Sequence, residues 1–483
     1  MLLRGGLPFR DFYTLKLPGA HLAYLPALVL FGQTMVAVRL GYLAASLATA
    51  WLVFLLARRL GGPAAGLTAA SLFLVATSNL SFLGLFAHAT QFLILPMTAG
   101  VLVLVQARGR PHRLRWLFLA GLLLGLAVVV KQHAAFFVLF GAAAAFLEER
   151  RGRGDLAAAR AAGVLLAGAA LPLLFLCVVF WASGCFSAFW LWCVRYAPQY
   201  VSMLSPWEGL KVGAQQALDD VLSLPAMVAL AAWGGVAAKR GNRAFLLGWL
   251  LAAAASIFPG LYFREHYFVP LLPVLAVLAG MGVADLLRRG PGFRWAAAGA
   301  VLFTALWPVY RDRVFLLEAD PRIAMRRLYR FQPFAEAVEV SRYLREHARP
   351  GDRLAVLGSE PEILFLSRIP SATGYMYTYP LMESHSLARW MQRDLMGRLE
   401  AHPPRWIALV SAANSWMAPH GATETPIIDW MDRFLPAHYD VVGVADIVSP
   451  VHTVYLWDEA ARDYEGRSQS AIWVYRRRDG ANP

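Results

Sequence analysis

Ten stretches of nearly unbroken apolar sequence constrain this 483-residue chain more than any other feature; they run at about 35–57, 64–83, 89–106, 114–130, 133–147, 161–182, 221–238, 244–259, 267–287 and 295–309. A hydrocarbon core of about 30 Å takes about 20 apolar residues in helical form to cross. Lipid offers backbone amides no partner, so runs of this length must close their hydrogen bonds internally and become helices. The charged fraction of 16% and the mean hydropathy of +0.49 point the same way, against about 25% charged residues in an average soluble domain. A soluble enzyme is excluded, and the fold class is a mainly α-helical polytopic membrane bundle of about ten transmembrane helices.

Charge is divided unevenly along the chain. Residues 1–310 carry 24 Lys/Arg against 9 Asp/Glu, whereas residues 311–483 carry 21 Arg against 22 acids, the balance of an ordinary soluble surface. The expected domains are therefore a membrane domain over 1–310, with residues 1–34 as a first external loop, and a soluble domain over 311–483. Arginine-rich connections recur at every second loop: Arg58/Arg59, Arg108 to Arg115, Arg150 to Arg160, Lys239 to Arg243 and Arg288 to Arg294. By the positive-inside rule these loops are cytoplasmic, which places the alternate loops, the first 34 residues and the tail outside. Residue 1 then lies outside with no export signal before it, which predicts a preceding membrane helix or, as the alternative, a first span that inserts N-terminus out against its own charge bias.

The tail offers no basic, aromatic-interleaved face for a nucleic acid. It reads as a small α/β domain with helices around 333–348 and 385–401 and strands at 353–358, 406–410, 439–444 and 471–475, in a parallel or mixed sheet. Cys177, Cys185 and Cys193 lack the spacing of a zinc site or disulfide framework. Residues 18–31 are apolar, too short to span and interrupted by Pro26, as suits a segment lying in the interface. The Trp- and Tyr-rich stretch 184–220 is expected at headgroup level.

Ionisable residues are costly at membrane depth, and here they gather on the external side. Lys131, Gln132 and His133 sit between two apolar runs; Arg264, Glu265, His266 and Tyr267 occupy a matching turn; Arg10, Asp11 and Lys16 flank the interfacial segment; His88 and Gln91 open the third span. Several cations with few acids at this depth make a pocket for an anion such as a lipid phosphate. Snorkelling explains any one of the cations equally well. His88, Gln91 and His133 are also suited to hydrogen bonding between packed helices, and Glu265 to a local ion pair with Arg264.

The order of these features resembles glycosyltransferase family 39, the dolichyl-phosphate-mannose:protein mannosyltransferase-like bacterial membrane proteins. The resemblance rests on Gly6-Leu-Pro-Phe-Arg-Asp11-Phe followed by Lys16-Leu-Pro-Gly19, on Leu56-Ala57-Arg58-Arg59-Leu60-Gly61, on the Lys131-Gln132 turn, on His266-Tyr-Phe-Val-Pro-Leu-Leu-Pro273, and in the tail on Pro350-Gly351-Asp352-Arg353 and Gly358-Ser359-Glu360-Pro361-Glu362. It implies a GT-C fold with an extracytoplasmic α/β domain and an enzyme that moves a sugar, with inversion, from a polyprenyl-phosphate donor to a hydroxyl of an envelope glycolipid, polysaccharide or protein. Lys16 matches the family's phosphate-contacting lysine. Arg10, Lys131, Arg264 and His266 are further donor-phosphate candidates, and His88, Gln91, His133, Glu265 and Tyr267 are candidates for the sugar or acceptor.

The family's catalytic acid normally precedes the Gly-x-Pro string, upstream of Met1, so Asp11 is the carboxylate left to act as base in the first loop. Gln91 stands where relatives often carry an acid, which argues against a divalent-metal site. Two other readings compete: an O-antigen ligase or polymerase, and a transporter or binding protein for lipid-linked sugars without chemistry. The confinement of charge to one face and the lack of internal repeats disfavour transport.

Overall fold

The computed structural model describes residues 1–201, 205–329, 332–417 and 425–478. All ten apolar runs are helical: α1 (Met35–Gly61), α2 (Pro63–Thr77), α3 (Ala89–Gln106), α4 (Arg113–Val130), α5 (Ala135–Arg153) and α6 (Asp155–Ala182), then, after a further helix α7 (Pro206–Ser223), α8 (Pro225–Ala237), α9 (Arg240–Ala255), α10 (Leu272–Arg289) and α11 (Pro291–Arg311). Five segments, α1, α3, α4, α6 and Glu265–Arg289, are each long and apolar enough to cross a membrane, and the pair α7–α8 qualifies jointly although bent by 93°. The chain is a multi-pass membrane protein. Some ends differ from the sequence expectation. The second run stops at Thr77 because Asn79 turns the chain, its Oδ1 accepting from Ser81 N at 2.8 Å, and the seventh begins at Pro225, which ends the preceding helix.

The chain forms two compact units. One holds residues 16–186 and 201–313, and the other holds 1–15, 187–200 and 314–483, so neither is a single continuous stretch.

In the membrane unit, glycines set how closely the helices approach. A Cβ on Gly121 would run into the carbonyl oxygen of Leu165, one on Gly125 into that of Ala169, and one on Gly168 into that of Phe118, so α4 and α6 touch backbone to backbone. Gly234 and Gly282 do the same between α8 and α10, against the carbonyls of Leu278 and Leu230, and Gly280 brings α10 onto Ala65 of α2. Lipid supplies no hydrophobic force between helices, so such close packing and the weak Cα–H···O contacts it permits hold the bundle together. Helix α10 is central, with nearly every residue from Leu272 to Ala284 buried.

In the second unit a five-stranded mixed sheet runs in the order β1-β2-β5-β3-β4, with β1 (Leu354–Leu357), β2 (Trp406–Val410), β3 (Tyr439–Ser449), β4 (His452–Trp457) and β5 (Ala471–Arg477). Only β1 and β2 are parallel, and both are buried along almost their whole length, as strands covered on both faces must be. The remaining pairs are antiparallel. Helices α12 (Phe334–His347), α13 (Pro361–Ser367), α14 (Ala388–Ala401) and α15 (Pro426–His438) complete the unit. Strand β4 and helix α15 went unread in the sequence. In β4 both faces are apolar, Val454 and Leu456 on one and Tyr455 and Trp457 on the other, so no alternation shows, and Pro436 near the end of α15 masks a helical period.

Residues 1–15 and 187–200 belong to this second unit through aromatic packing. Tyr13 stacks on Trp192 at 5.4 Å and meets Tyr375 edge-on at 5.2 Å, while its backbone N–H donates to Gly374 O at 2.6 Å. Phe9 packs edge-on against Phe189, and the fully buried Tyr196 donates its hydroxyl to Glu383 Oε2 at 2.6 Å. None of the three cysteines forms a disulfide among the described residues.

Gly234 and its neighbour Gly235 give a paired test of the packing argument, since a Cβ on Gly235 meets nothing within 4 Å. Gly234→Val is expected to lower thermal stability in detergent by about 1–3 kcal/mol, the usual cost of overpacking, and Gly235→Val to leave it nearly unchanged. Equal melting temperatures for the two variants would refute the role given to glycine.

Candidate anion site at one end of the bundle

The site lies within the membrane unit, where three chain breaks meet. The first is Lys131, whose extended backbone (φ −156°) ends α4 and starts the short 3₁₀ turn Gln132–Ala134. The second is the loop that ends at His88, the N-cap of α3, and the third is the turn Arg264–Tyr267 before α10. Leu83 and Ala87 in one of these loops, and Leu261 and Phe263 in another, hold positive φ of 41–52°. Non-glycine residues adopt this conformation at a cost of about 1–3 kcal/mol each and concentrate near functional sites.

A fourth segment brings Lys16. It precedes the short helix Gly19–Leu22, which seats directly on the end of α4: a Cβ on Gly19 would lie 2.5 Å from Val129 O. Only glycine permits that approach, and Lys16 is thereby anchored three residues from the contact. The helix Leu25–Phe31 that follows exposes Val29, Leu30 and Phe31.

Lys131 Nζ donates to Thr90 Oγ1 at 3.1 Å and sits 4.3 Å from the centre of the Tyr267 ring. Desolvation first, and then the positive charges of Lys16 and Arg264, pull its pKa down to about 7. The charges that act on this lysine are thus all of its own sign. Such an arrangement costs free energy when empty and releases it when an anion enters.

Imidazoles line the same place. His88 and His266 stack face to face, with centroids 4.2 Å apart and planes 2° from parallel, and His133 lies 6.4 Å from the Tyr267 ring. His88 Nε2, His266 Nδ1 and both ring nitrogens of His133 are buried without a hydrogen-bond partner among the described residues. Burial, followed by the charge of Lys131, drives the pKa of His88 down to about 4 and that of His133 well below its ordinary value. Both are therefore neutral near pH 7 and meet a ligand as hydrogen-bonding groups, not as cations. Unpaired buried nitrogens are expensive, and a polar ligand would satisfy them.

The structure thus brings together Lys16, Lys131, Arg264, His88, His133, His266 and Tyr267 from the residues singled out in the sequence. It gives the others different surroundings. Gln91 is buried inside α3, where its Oε1 accepts from Thr77 Oγ1 at 3.0 Å, a bond between packed helices. Arg10 and Asp11, in the second unit, form an exposed ion pair at 2.8 Å. Asp11 also accepts from Leu7 N at 2.7 Å, and these bonds hold its carboxyl below the usual carboxylate range. A carboxylate so engaged is a weak base.

Two residues escaped the sequence reading. His21 lies close enough to Lys16 to feel its charge, and burial lowers its pKa to about 4. Asp220, near the end of α7, is 8% exposed, and burial pushes its carboxyl up to about 8. Its Oδ1 accepts from Gln216 Nε2 at 3.0 Å, its Oδ2 is buried without a partner, and Glu265 is among the charges acting on it. Beside it Arg311 bridges Asp219 Oδ1 and Ser81 Oγ, each at 2.7 Å. Asp219-Asp220 looked like a solvated helix end in sequence, and only the fold buries one of the pair. Among the described residues, no three His, Cys, Asp or Glu side chains gather where they could hold one metal ion.

The chain contains four lysines, so ¹³C-methylated lysine resonances can be followed one by one. One is expected to titrate near pH 7, to vanish in Lys131→Gln and to move to higher pH in Lys16→Gln, because removing a like charge favours the protonated form. A Lys131 signal titrating near pH 10 would show that the cations do not share one desolvated site.

Residues 20–181 match the dolichyl-phosphate-mannose-protein mannosyltransferase family. No curated protein matches the chain by sequence. Among solved structures, ArnT from Cupriavidus metallidurans bound to undecaprenyl phosphate aligns with a TM-score of 0.60 at 15% identity, over 96% of this chain and 88% of that one. The arabinofuranosyltransferase AftD from mycobacteria aligns with a TM-score of 0.50 at 16% identity, over 94% of this chain and 34% of that one. The Archaeoglobus fulgidus oligosaccharyltransferase, in its complex with zinc and sulfate, gives 0.50 at 14% identity over 93% of this chain and 65% of that one. The chain is a GT-C fold membrane protein whose residues 20–181 carry the signature of the dolichyl-phosphate-mannose-protein mannosyltransferase family.

Proposed function

We propose that this protein is a membrane glycosyltransferase that moves a sugar from a polyprenyl-phosphate donor to a hydroxyl of an envelope glycolipid, polysaccharide or protein at the external face of the bacterial plasma membrane. One observation carries the reading: Lys131, stripped of water, feels the charges of Lys16 and Arg264 at one end of the bundle, beside neutral imidazoles whose buried nitrogens have no hydrogen-bond partner among the described residues. A lipid phosphate is the anion that reaches this depth. The likeness of fold to ArnT, solved with undecaprenyl phosphate, supports the same donor class.

The chemistry follows from the groups present. The acceptor oxygen attacks the anomeric carbon from the face opposite the phosphate, the bond from that carbon to the phosphate oxygen breaks, and the configuration inverts. Charge builds on the departing phosphate, and the three cations stabilise it where it develops. His88, His133 and His266 hold the sugar or bridging oxygens by neutral hydrogen bonds. Tyr267, under Lys131, closes one wall.

A base must take the acceptor's proton. We assign this role to Asp220 in preference to Asp11, because a carboxyl raised to about 8 has the basicity that proton transfer near neutral pH demands, whereas the Asp11 carboxylate is stabilised by Arg10 and the Leu7 amide. Glu265 links Asp220 electrostatically to the turn that carries His266. A transporter of lipid-linked sugars would need the anion site but no such base.

In reconstituted vesicles, Lys131→Met is expected to weaken binding of a polyprenyl-phosphate sugar by about 10–100-fold, the value of a charge-assisted contact. Asp220→Asn is expected to cut turnover by about 10²–10⁴-fold with binding retained, while Asp11→Asn changes it little. Loss of turnover in Asp11→Asn alone would reverse the assignment, and donor binding with no transfer to any envelope acceptor would favour the transporter.

The pH dependence of donor binding has a definite sign. The donor is a phosphodiester with a fixed charge, so Lys131 supplies the titration: with a pKa of about 7 in the empty site, it is protonated below that pH and must take up a proton to bind above it. Affinity is therefore expected to be highest below pH 7 and to fall as pH rises through 7 to 9. The slope should disappear in Lys131→Met, and a slope that survives would point to another group.

A further inference from the structure

At the opposite, arginine-rich end of the bundle a second cavity of about 300 Å³ lies between α5 and α9. Small residues line it, Ala144 on α5 and Gly248 on α9, while Phe140 and Phe245, in ring contact at 5.1 Å, form its aromatic wall. Leu147, which is 51% exposed, also lines the cavity, as an apolar residue at its edge.

The mouth is cationic. Arg108 and Arg151 both line it. Glu148 is the acid there, and it is already shared, 3.2 Å from Arg108 Nε and 2.9 Å from Arg113 Nη2, which leaves the mouth net positive. Arg108 lies with its guanidinium carbon 4.6 Å from the Phe245 ring centre, and its Nε, although near Glu148, is buried and makes no hydrogen bond. Its Nη1 reaches Asn242 Oδ1 at 3.4 Å, a weak contact across to α9. An apolar slot beside a mouth of net positive charge fits an amphiphile with one chain and one anionic head.

We propose that this cavity binds an anionic phospholipid of the cytoplasmic leaflet, with its phosphate on Arg108 and Arg151 and part of one acyl chain in the slot between α5 and α9. Water suits the slot poorly, because its inner wall is hydrocarbon and aromatic rings. Basic pockets between membrane helices on the arginine-rich side select anionic headgroups by charge. The site stands apart from Lys131 and does not depend on the transfer reaction. A bound lipid would fasten α5 to α9 at the end away from the anion site, and so stiffen the bundle without touching substrate.

Native mass spectrometry on the full-length protein in mild detergent tests this with phosphatidylglycerol and phosphatidylcholine of equal chain length. Wild-type protein is expected to retain phosphatidylglycerol about tenfold more strongly, as one charge-assisted contact would give. Ala144→Leu and, separately, Gly248→Leu should remove binding of both lipids by filling the slot, so that misfolding of either variant leaves the other as the test. Arg151→Gln combined with Arg108→Gln should abolish the preference between the two lipids, and Lys131→Met should alter nothing. Soluble glycerol phosphate should fail to compete, which separates a lipid from a free phosphate. Equal retention of the two lipids, a preference that survives both slot-filling variants, displacement by glycerol phosphate, or loss of the preference in Lys131→Met would each overturn the proposal.

Discussion

Backbone contact between helices in lipid is the constraint from which the rest follows. No water competes for the amides, so each helix closes its own hydrogen bonds, and the helices are then held by how closely their surfaces meet. Gly121, Gly125 and Gly168 let α4 and α6 touch, and Gly234, Gly280 and Gly282 dock α10 among its neighbours. Those contacts fix where α4 ends and where the turn before α10 lies. Lys131 and His266 stand at those two points, so the positions of the charged groups are set by residues with no side chain at all.

The site that results is costly to keep. Lys131 is stripped of water beside two other cations, several imidazole nitrogens lack partners, and the flanking loops hold Leu83, Ala87, Leu261 and Phe263 at positive φ. A bundle closed tightly by small residues tolerates these local costs, and a phosphate would repay much of them by supplying the missing charge and acceptors. The same reasoning separates Asp220 from Asp11. Both are aspartates near an arginine in space, but one is buried with an oxygen unused and the other is bonded on an exposed turn.

Much of the fold was legible in the sequence because hydrocarbon imposes a length and a composition on what crosses it. The ten apolar runs became helices, and β1, β2 and β5 formed within one to two residues of where apolar runs between turn residues put them. Strand β4 and helix α15 were not legible, since apolar residues on both faces of the one and an internal proline in the other erase the period that reveals such elements. The bend between α7 and α8 had a visible cause in Pro225, but its 93° is a property of packing.

Sequence by itself determined a polytopic helical protein, which loops carry arginine, and that Lys16, Lys131, Arg264 and the histidines share one side, because each of these is written in the spacing of polar breaks along apolar runs. Tertiary structure alone decided which of those groups meet. It paired Gln91 with Thr77 inside the bundle, tied Arg10 to Asp11, stacked His88 on His266, and raised Asp220 from an ordinary surface acid to a buried one. The reason is physical: the ionisation and reactivity of a side chain depend on how much water and which charges surround it, and those are fixed by contacts between residues far apart in the chain.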